Sequence, residues 1–438
     1  MRNTDDQTLR ELEIFESASG KLSLLAKLDF TRTRRGKLKL REKLSHYCTS
    51  IDEIKAVQMC LQFLTNDLEK WDFTLHEEEI SQLENYFYSN ISPIFSTTKL
   101  DTLLQIARYQ VLYKGEYAYI RGGTFRLLFF LQDIRKQTSQ LSSHTLPLLL
   151  HQWVEKVQFI LNQEDIKQAL DKCAHDTVDF LAIIEYDRLF RIQLKDKIQE
   201  LLDLLAELDA FLSLAKSIQK YHLTFPEFTG SETPFIALEN VYHLFIDSPV
   251  SNNLVFDSQT NFLFLTGPNT AGKTTLLKAV GIAIYLAHVG MGIPASSARM
   301  SVFTGIFSSI SPTDNLAAGY SYFYSEVMRV KEAVSQLKDN TSVFFMFDEL
   351  FRGTNVKDAY DCSKLVIDGL QQWQNSVYIL SSHITELATD MKQYPNISFR
   401  YMESAVEGKK PVFSYKLAEG VSKERLGLLI LENEKIFE

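Results

Sequence analysis

The residues Gly267-Pro268-Asn269-Thr270-Ala271-Gly272-Lys273-Thr274 fit the pattern G-x-x-x-x-G-K-[ST], which is built to hold a chain of phosphates. In such a loop the glycines let backbone N–H groups close around phosphate oxygens, and the lysine reaches the β and γ oxygens. The Thr274 hydroxyl is then available to Mg²⁺. A second group of chemical residues follows the apolar run Val343 to Phe347, which ends in Asp348-Glu349. A buried strand tolerates acids only at its mouth, so both carboxylates belong at the sheet edge that holds the phosphate loop. Asp348 would hold Mg²⁺ with Thr274, and Glu349 would orient or deprotonate an attacking water. The plainer alternative is a strand-end acid pair that caps the next helix. A third run, Val377 to Leu380, ends in Ser381-Ser382-His383, where a neutral imidazole could contact the γ-phosphate or the lytic water. A histidine after a strand is otherwise usually structural.

These residues need elements that bring them together. Phe262 to Thr266 reads as a buried strand entering the loop, and Leu276 to Val280 as a helix leaving it. Strand-like runs alternating with helical segments beyond residue 225 imply a mostly parallel sheet covered by helices. Residues 1–224 read as helical throughout, with few Pro or Gly. The clearest element there is a helix from about Asp187 to Lys216, in which Leu194, Ile198, Leu201, Leu205, Leu208, Leu212 and Ala215 form a seam. The segment Thr224-Phe225-Pro226 through Pro234 marks the boundary, which gives a helical region 1–224 and an α/β region 225–438.

Composition excludes several classes. The chain has 438 residues, 45% of them hydrophobic, and no apolar stretch approaches the length of a membrane span. With no secretory opening either, the expected location is cytoplasmic. Cys48, Cys60, Cys173 and Cys362 lie far apart, which indicates neither a disulfide framework nor a zinc site. The net charge of −9 means that any contact with nucleic acid must come from local patches. One candidate patch is Arg32, Arg34, Arg35, Lys37, Lys39, Arg41 and Lys43, although a solvated helix start paired with nearby acids explains it equally simply.

Taken together, the motifs resemble the MutS family of DNA mismatch-repair ATPases, a branch of the ABC-type ATPases. The match rests on Gly267-Pro268-Asn269 with Gly272-Lys273-Thr274-Thr275, on Asp314 to Glu326 as a signature-like loop, and on Asp348-Glu349-Leu350-Phe351-Arg352-Gly353-Thr354. Ser382-His383 and Val421-Ser422-Lys423 with Leu426-Gly427-Leu428 extend it, and Thr8 to Ile14, Leu28 to Gly36 and Glu207 to Ala215 resemble the family's lever domain. The resemblance implies an ABC-type P-loop ATPase domain preceded by an all-α lever. It implies ATP and Mg²⁺ as cofactors, with Asn269 and Thr275 among the phosphate-contacting residues and Ser321 meeting the γ-phosphate of a partner subunit. Lys273, Glu349 and His383 would then be the catalytic set, and Thr274 and Asp348 the metal ligands. Where the family carries an aromatic residue against adenine, this chain has Pro249-Val250, so Val250 is the base-side candidate.

The resemblance starts at the lever. Mismatch-reading and connector domains are therefore expected to be absent, and the interval from Leu12 to Gly267 suggests a reduced or absent DNA clamp. The expected function is a homodimeric, DNA-binding ATPase of DNA repair whose nucleotide state moves helical levers, with a further repair protein as a possible partner. The alternative is a nucleotide-gated scaffold acting on RNA, on ribosomes or on non-mismatch DNA structures in recombination control.

Overall fold

A computed structural model of the chain describes residues 4–17, 22–71, 77–92, 107–109, 111–141, 145–175, 180–231, 233–268, 270–310, 322–338, 341–407 and 410–422. These form two compact units, one of residues 1–28, 44–58 and 218–438, the other of 29–43 and 59–217. Residues 1–28 and 44–58 lie on the amino-terminal side of the expected boundary at 224–225, yet fold with 218–438. Hydrogen bonds explain why. Ser308 N donates to Thr8 Oγ1 at 2.9 Å, Ile310 N to Glu11 Oε2 at 3.0 Å, and Cys48 N to the carbonyl of His288 at 2.9 Å.

The α/β unit is organised by two sheets. The strands, in chain order, are β1 (Glu227–Phe228), β2 (Ile236–Val241), β3 (Asn252–Phe256), β4 (Phe262–Thr266), β5 (Ser297–Met300), β6 (Gly305–Ser309), β7 (Val343–Asp348), β8 (Val377–Ser381), β9 (Ile397–Glu407) and β10 (Lys410–Glu419). The larger sheet has the order β10-β9-β4-β8-β7-β6, parallel except for the β9–β10 pair. Its central strands β4, β7 and β8 are buried along their whole length, as strands covered on both faces must be. They coincide with the three strand-like runs read from sequence. Phe262, Phe264, Phe307, Phe345, Phe347, Tyr378 and Leu380 build the core under one face. The smaller sheet, β1-β5-β2-β3, was not foreseen, although β3 carries the strict alternation of buried and exposed residues expected of a half-buried strand.

The other unit is helical. Its long helix is broken where one continuous helix was expected: Phe180–Arg188 is followed by a π-turn over Leu189–Gln193, and the helix resumes as Lys195–Tyr221. The break has a local cause. Leu194 N bonds back to the carbonyl of Leu189 at 2.8 Å, while the π-turn directs Arg191 onto Asp187. Beyond the break, Ile198, Leu201, Leu205, Leu208, Leu212 and Ala215 are buried as the seam predicts. Asp209 on this helix accepts from the backbone N–H of Arg32 and Thr33 and from Thr33 Oγ1, which caps the helix Arg34–Ser45 by accepting from Gly36 N at 2.9 Å. Gly36 is glycine for a steric reason, because a Cβ there would lie 2.0 Å from Asp209 Oδ2. Much of the basic run is consumed within this unit: Arg35 pairs with Glu84 and Asp203, Lys37 with Asp29, Lys39 with Glu42, and Lys43 with Glu207.

Candidate functional site

Strand β4 delivers its last residue, Thr266, to the sheet edge, where the chain turns into the glycine-containing loop. Gly272 adopts φ 94°, a left-handed conformation that L side chains rarely adopt, immediately before the helix Lys273–His288. A Cβ at Gly272 would also press on Tyr415 Cδ1 at 3.2 Å. The described part of the loop thus has the strand, turn and helix order that the motif requires. Asn269 lies outside the described residues.

Lys273 is 2% exposed, and its ammonium lies along the inside of the loop. Nζ donates to the carbonyl of Gly267 at 2.7 Å and of Pro268 at 3.2 Å, and stands 3.3 Å from Glu349 Oε1. Thr274 Oγ1 donates to Asp348 Oδ2, and Ser381 Oγ to Asp348 Oδ1. Register explains this meeting, since Asp348 pairs with Ser381 across β7 and β8, and β8 in turn lies beside β4. Glu349 follows Asp348 in a left-handed conformation, φ 55°, its N–H bonded to the carbonyl of Ser381 at 2.9 Å. Its carboxylate meets Lys273, while that of Asp348 meets Thr274 and Ser381. Arg352 Nε approaches Glu349 Oε2 at 2.9 Å and His383 Nδ1 approaches the same oxygen at 3.6 Å. Burial opposes ionisation of Glu349, but the His383 hydrogen bond and the Lys273 and Arg352 charges outweigh it and hold its pKa at about 2.

A cleft of about 490 Å³ opens beside the loop. Thr270, Gly272, Thr274 and Thr275 line it from the loop and the helix start, and Val250, His243 and Tyr415 line it as well. Ala271 is fully buried beneath the loop. Of the residues expected from sequence, the structure brings Gly267, Pro268, Lys273, Thr274, Asp348, Glu349 and His383 together and places Val250 in the lining of the cleft. Ser321, like Asn269, is outside the described residues, as are 314–320 of the signature-like loop and Lys423 and Leu426-Gly427-Leu428 of the closing motif.

Three contributors escaped the sequence reading. Arg352 was recognised only as part of a motif, without its contact to Glu349. Ser381 stood beside His383 in sequence, but only the strand register shows it bonding Asp348. Tyr415 left no sequence signal, because a register shift between Phe413 and Leu417 brings it to the cleft. Asn252 fixes that shift, donating from Nδ2 to the carbonyl of Tyr415 at 3.0 Å and accepting from Leu417 N at 2.8 Å.

The described edge presents hard oxygen donors from Thr274 and Asp348 beside a buried ammonium, a set suited to Mg²⁺ and polyphosphate. Comparison with known proteins agrees with the motifs. The family described as MutS domain V matches residues 263–436, and that described as MutS domain III matches 7–215. A DNA mismatch repair protein MutS from Pseudothermotoga lettingae is 30% identical over 52% of this chain and 28% of its own length. The one from Lysinibacillus sphaericus is 26% identical over 73% of this chain and 36% of its own. The one from Thermotoga maritima is 28% identical over 53% and 29%. The chain therefore spans about a third of the length of these relatives or less. With two domain matches that share nearly the whole chain between them, this protein belongs to the MutS family.

Proposed function

We propose that the site binds ATP with Mg²⁺ and hydrolyses it, and that paired copies of the chain couple this cycle to an action on DNA. The observation that carries the reading is the convergence of Lys273, Thr274, Asp348 and Glu349 at one sheet edge beside an open cleft. Phosphoryl transfer relies on positioning and charge stabilisation, so such a set suffices in kind.

Each residue has a part. On nucleotide binding, the Lys273 ammonium exchanges the carbonyls of Gly267 and Pro268 for phosphate oxygens, with the N–H groups of the P-loop, Asn269 to Thr275, around them. Thr274 and Asp348 hold Mg²⁺, which offsets the charge on the phosphates. Glu349 accepts a hydrogen bond from the attacking water. A carboxylate held so low by its cationic neighbours is a weak base, so its part is to orient the water. His383, 55% exposed and next to Glu349, is placed to meet the water or the γ-phosphate. Val250 and Tyr415 flank the base. Ser321 from a second copy supplies the donor on the far side of the γ-phosphate, which makes the site composite. Nucleotide bound by both copies favours the closed dimer, and about 5.5 kcal/mol of such preference turns a 1:99 equilibrium into 99:1. The helical unit then acts as the lever of an ABC-type ATPase.

The test is ATP turnover with Mg²⁺, measured alone and with perfect, mismatched and four-way DNA, and with ribosomes. Stimulation by DNA supports the reading. Stimulation by ribosomes alone transfers the action to RNA, and failure to bind ATP refutes it.

A further inference from the structure

The turn that carries Glu349 is unusual. Glu349 and Phe351 both have positive φ, 55° and 62°, and Phe351 is a bulky aromatic for which that conformation is unfavourable. Something must hold the turn in place. The backbone N–H of Phe351 donates to Glu326 Oε1 at 3.0 Å, and the N–H groups of Arg352 and Gly353 are directed to the same carboxylate. The Phe351 N–H is thus in hydrogen-bond contact with the carboxylate, and the next two N–H groups add their partial positive charge. Glu326 is 3% exposed, and within the described residues its Oε2 has no hydrogen-bond partner by strict geometry. A buried carboxylate so poorly served elsewhere is committed to this turn.

The helix carrying Glu326, Tyr322–Gln336, is itself anchored. One turn further on, Arg329 is buried, its guanidinium 3.8 Å from the centroid of Phe307. It donates to the carbonyl of Ser308 at 3.0 Å from Nε, and to Asp5 at 3.1 Å and Thr8 at 3.0 Å. The aromatic rings of Phe323 and Phe351 lie 5.6 Å apart, adding a second contact between helix and turn. Glu326 therefore stands on a fixed post.

We propose that Glu326 is a positioning residue: its carboxylate holds the backbone of Phe351 to Gly353, and through that turn it aims Glu349 and Arg352. This rests on the hydrolytic role proposed for Glu349, but the backbone part stands without it. Glutamine retains a carbonyl oxygen that can accept from Phe351 N, whereas alanine retains nothing.

The experiment uses the full chain with Glu326→Gln and Glu326→Ala, beside the parent protein. Hydrogen exchange of a peptide spanning 350–354 should accelerate about tenfold or more in Glu326→Ala and much less in Glu326→Gln, while peptides from β4 and β8 keep their protection. In ATP turnover, Glu326→Ala should lower kcat about tenfold to a hundredfold with KM changed less than about threefold, and Glu326→Gln should recover most of the rate. Unchanged exchange at 350–354 in Glu326→Ala overturns the proposal. So does a KM effect without a kcat effect. If the parent protein hydrolyses no ATP, the reading of the site fails, and the exchange result still decides the role of Glu326 in the turn. Global loss of protection in Glu326→Ala leaves Glu326→Gln as the deciding variant, whose exchange at 350–354 must lie above that of the parent and whose rate must lie below it.

Discussion

Two charge clusters, one in each unit, show how a structural ion pair differs from the proposed nucleotide site. In the helical unit, Arg191 and Asp187 lie one turn apart and meet through two bonds of 2.7 and 2.6 Å. Tyr86 donates to the same aspartate at 2.7 Å, and the remaining Arg191 nitrogen reaches the carbonyl of Ile91 at 2.7 Å. Both side chains are almost fully enclosed, and rigid elements supply the main partners. In the α/β unit, Lys273, Asp348, Glu349 and Arg352 are as crowded, yet apart from Thr274, Ser381 and His383 their partners are loop carbonyls and one another. Arg352 is 41% exposed and the cleft lies alongside. Burial and pairing alone do not mark function; partners that a ligand could replace do.

The largest effect that would sharpen this contrast is on stability. Arg191→Met leaves Asp187 charged and enclosed, and should cost about 3–5 kcal/mol in denaturant unfolding while leaving nucleotide affinity unchanged in the folded fraction. Lys273→Ala should do the reverse, weakening ATP binding by about a hundredfold or more in a direct titration with little loss of fold. Equal destabilisation by the two would erase the distinction. Gly36→Ala should cost about 1–3 kcal/mol, because the added methyl displaces Asp209 from its bonds to Arg32 and Thr33. Smaller still, Tyr415→Ala should weaken ATP binding about tenfold and Tyr415→Phe hardly at all, if the ring contributes its face to the base.

Acid should act on the second cluster through Glu349. Glu349 has a pKa of about 2, below the ordinary carboxylate value of 4.5, so its contribution to stability is complete above about 4.5 and is lost as pH falls toward 2. Turnover should accordingly show no inflection from Glu349 above pH 4.5, and Arg352→Ala should move the carboxylate upward. A Glu349 carboxylate signal, identified in isotope-edited spectroscopy by its loss in Glu349→Gln and titrating at or above 4.5 in the parent protein, would contradict the proposed pairing.

Much of this was legible in the sequence, and its limits have physical reasons. The phosphate loop and the two strands ending in acids and in histidine are local patterns, and β4, β7 and β8 form where the apolar runs lie. What escaped depends on distant partners. The packing of residues 1–28 with the sheet unit rests on Thr8 and Glu11 bonding atoms about 300 positions away. The break before Lys195 arises from a π-turn that the regular leucine spacing conceals. Tyr415 reaches the cleft through a bulge pinned by Asn252, and no periodicity in β10 predicts a bulge.

Glu349→Gln tests the central claim most directly, because it removes one negative charge while keeping nearly the same volume. ATP binding should persist with Mg²⁺ within a few-fold of the parent, turnover should fall about a hundredfold or more, and dimer should accumulate in sedimentation with ATP present. Turnover at the parent rate in that variant would contradict the account.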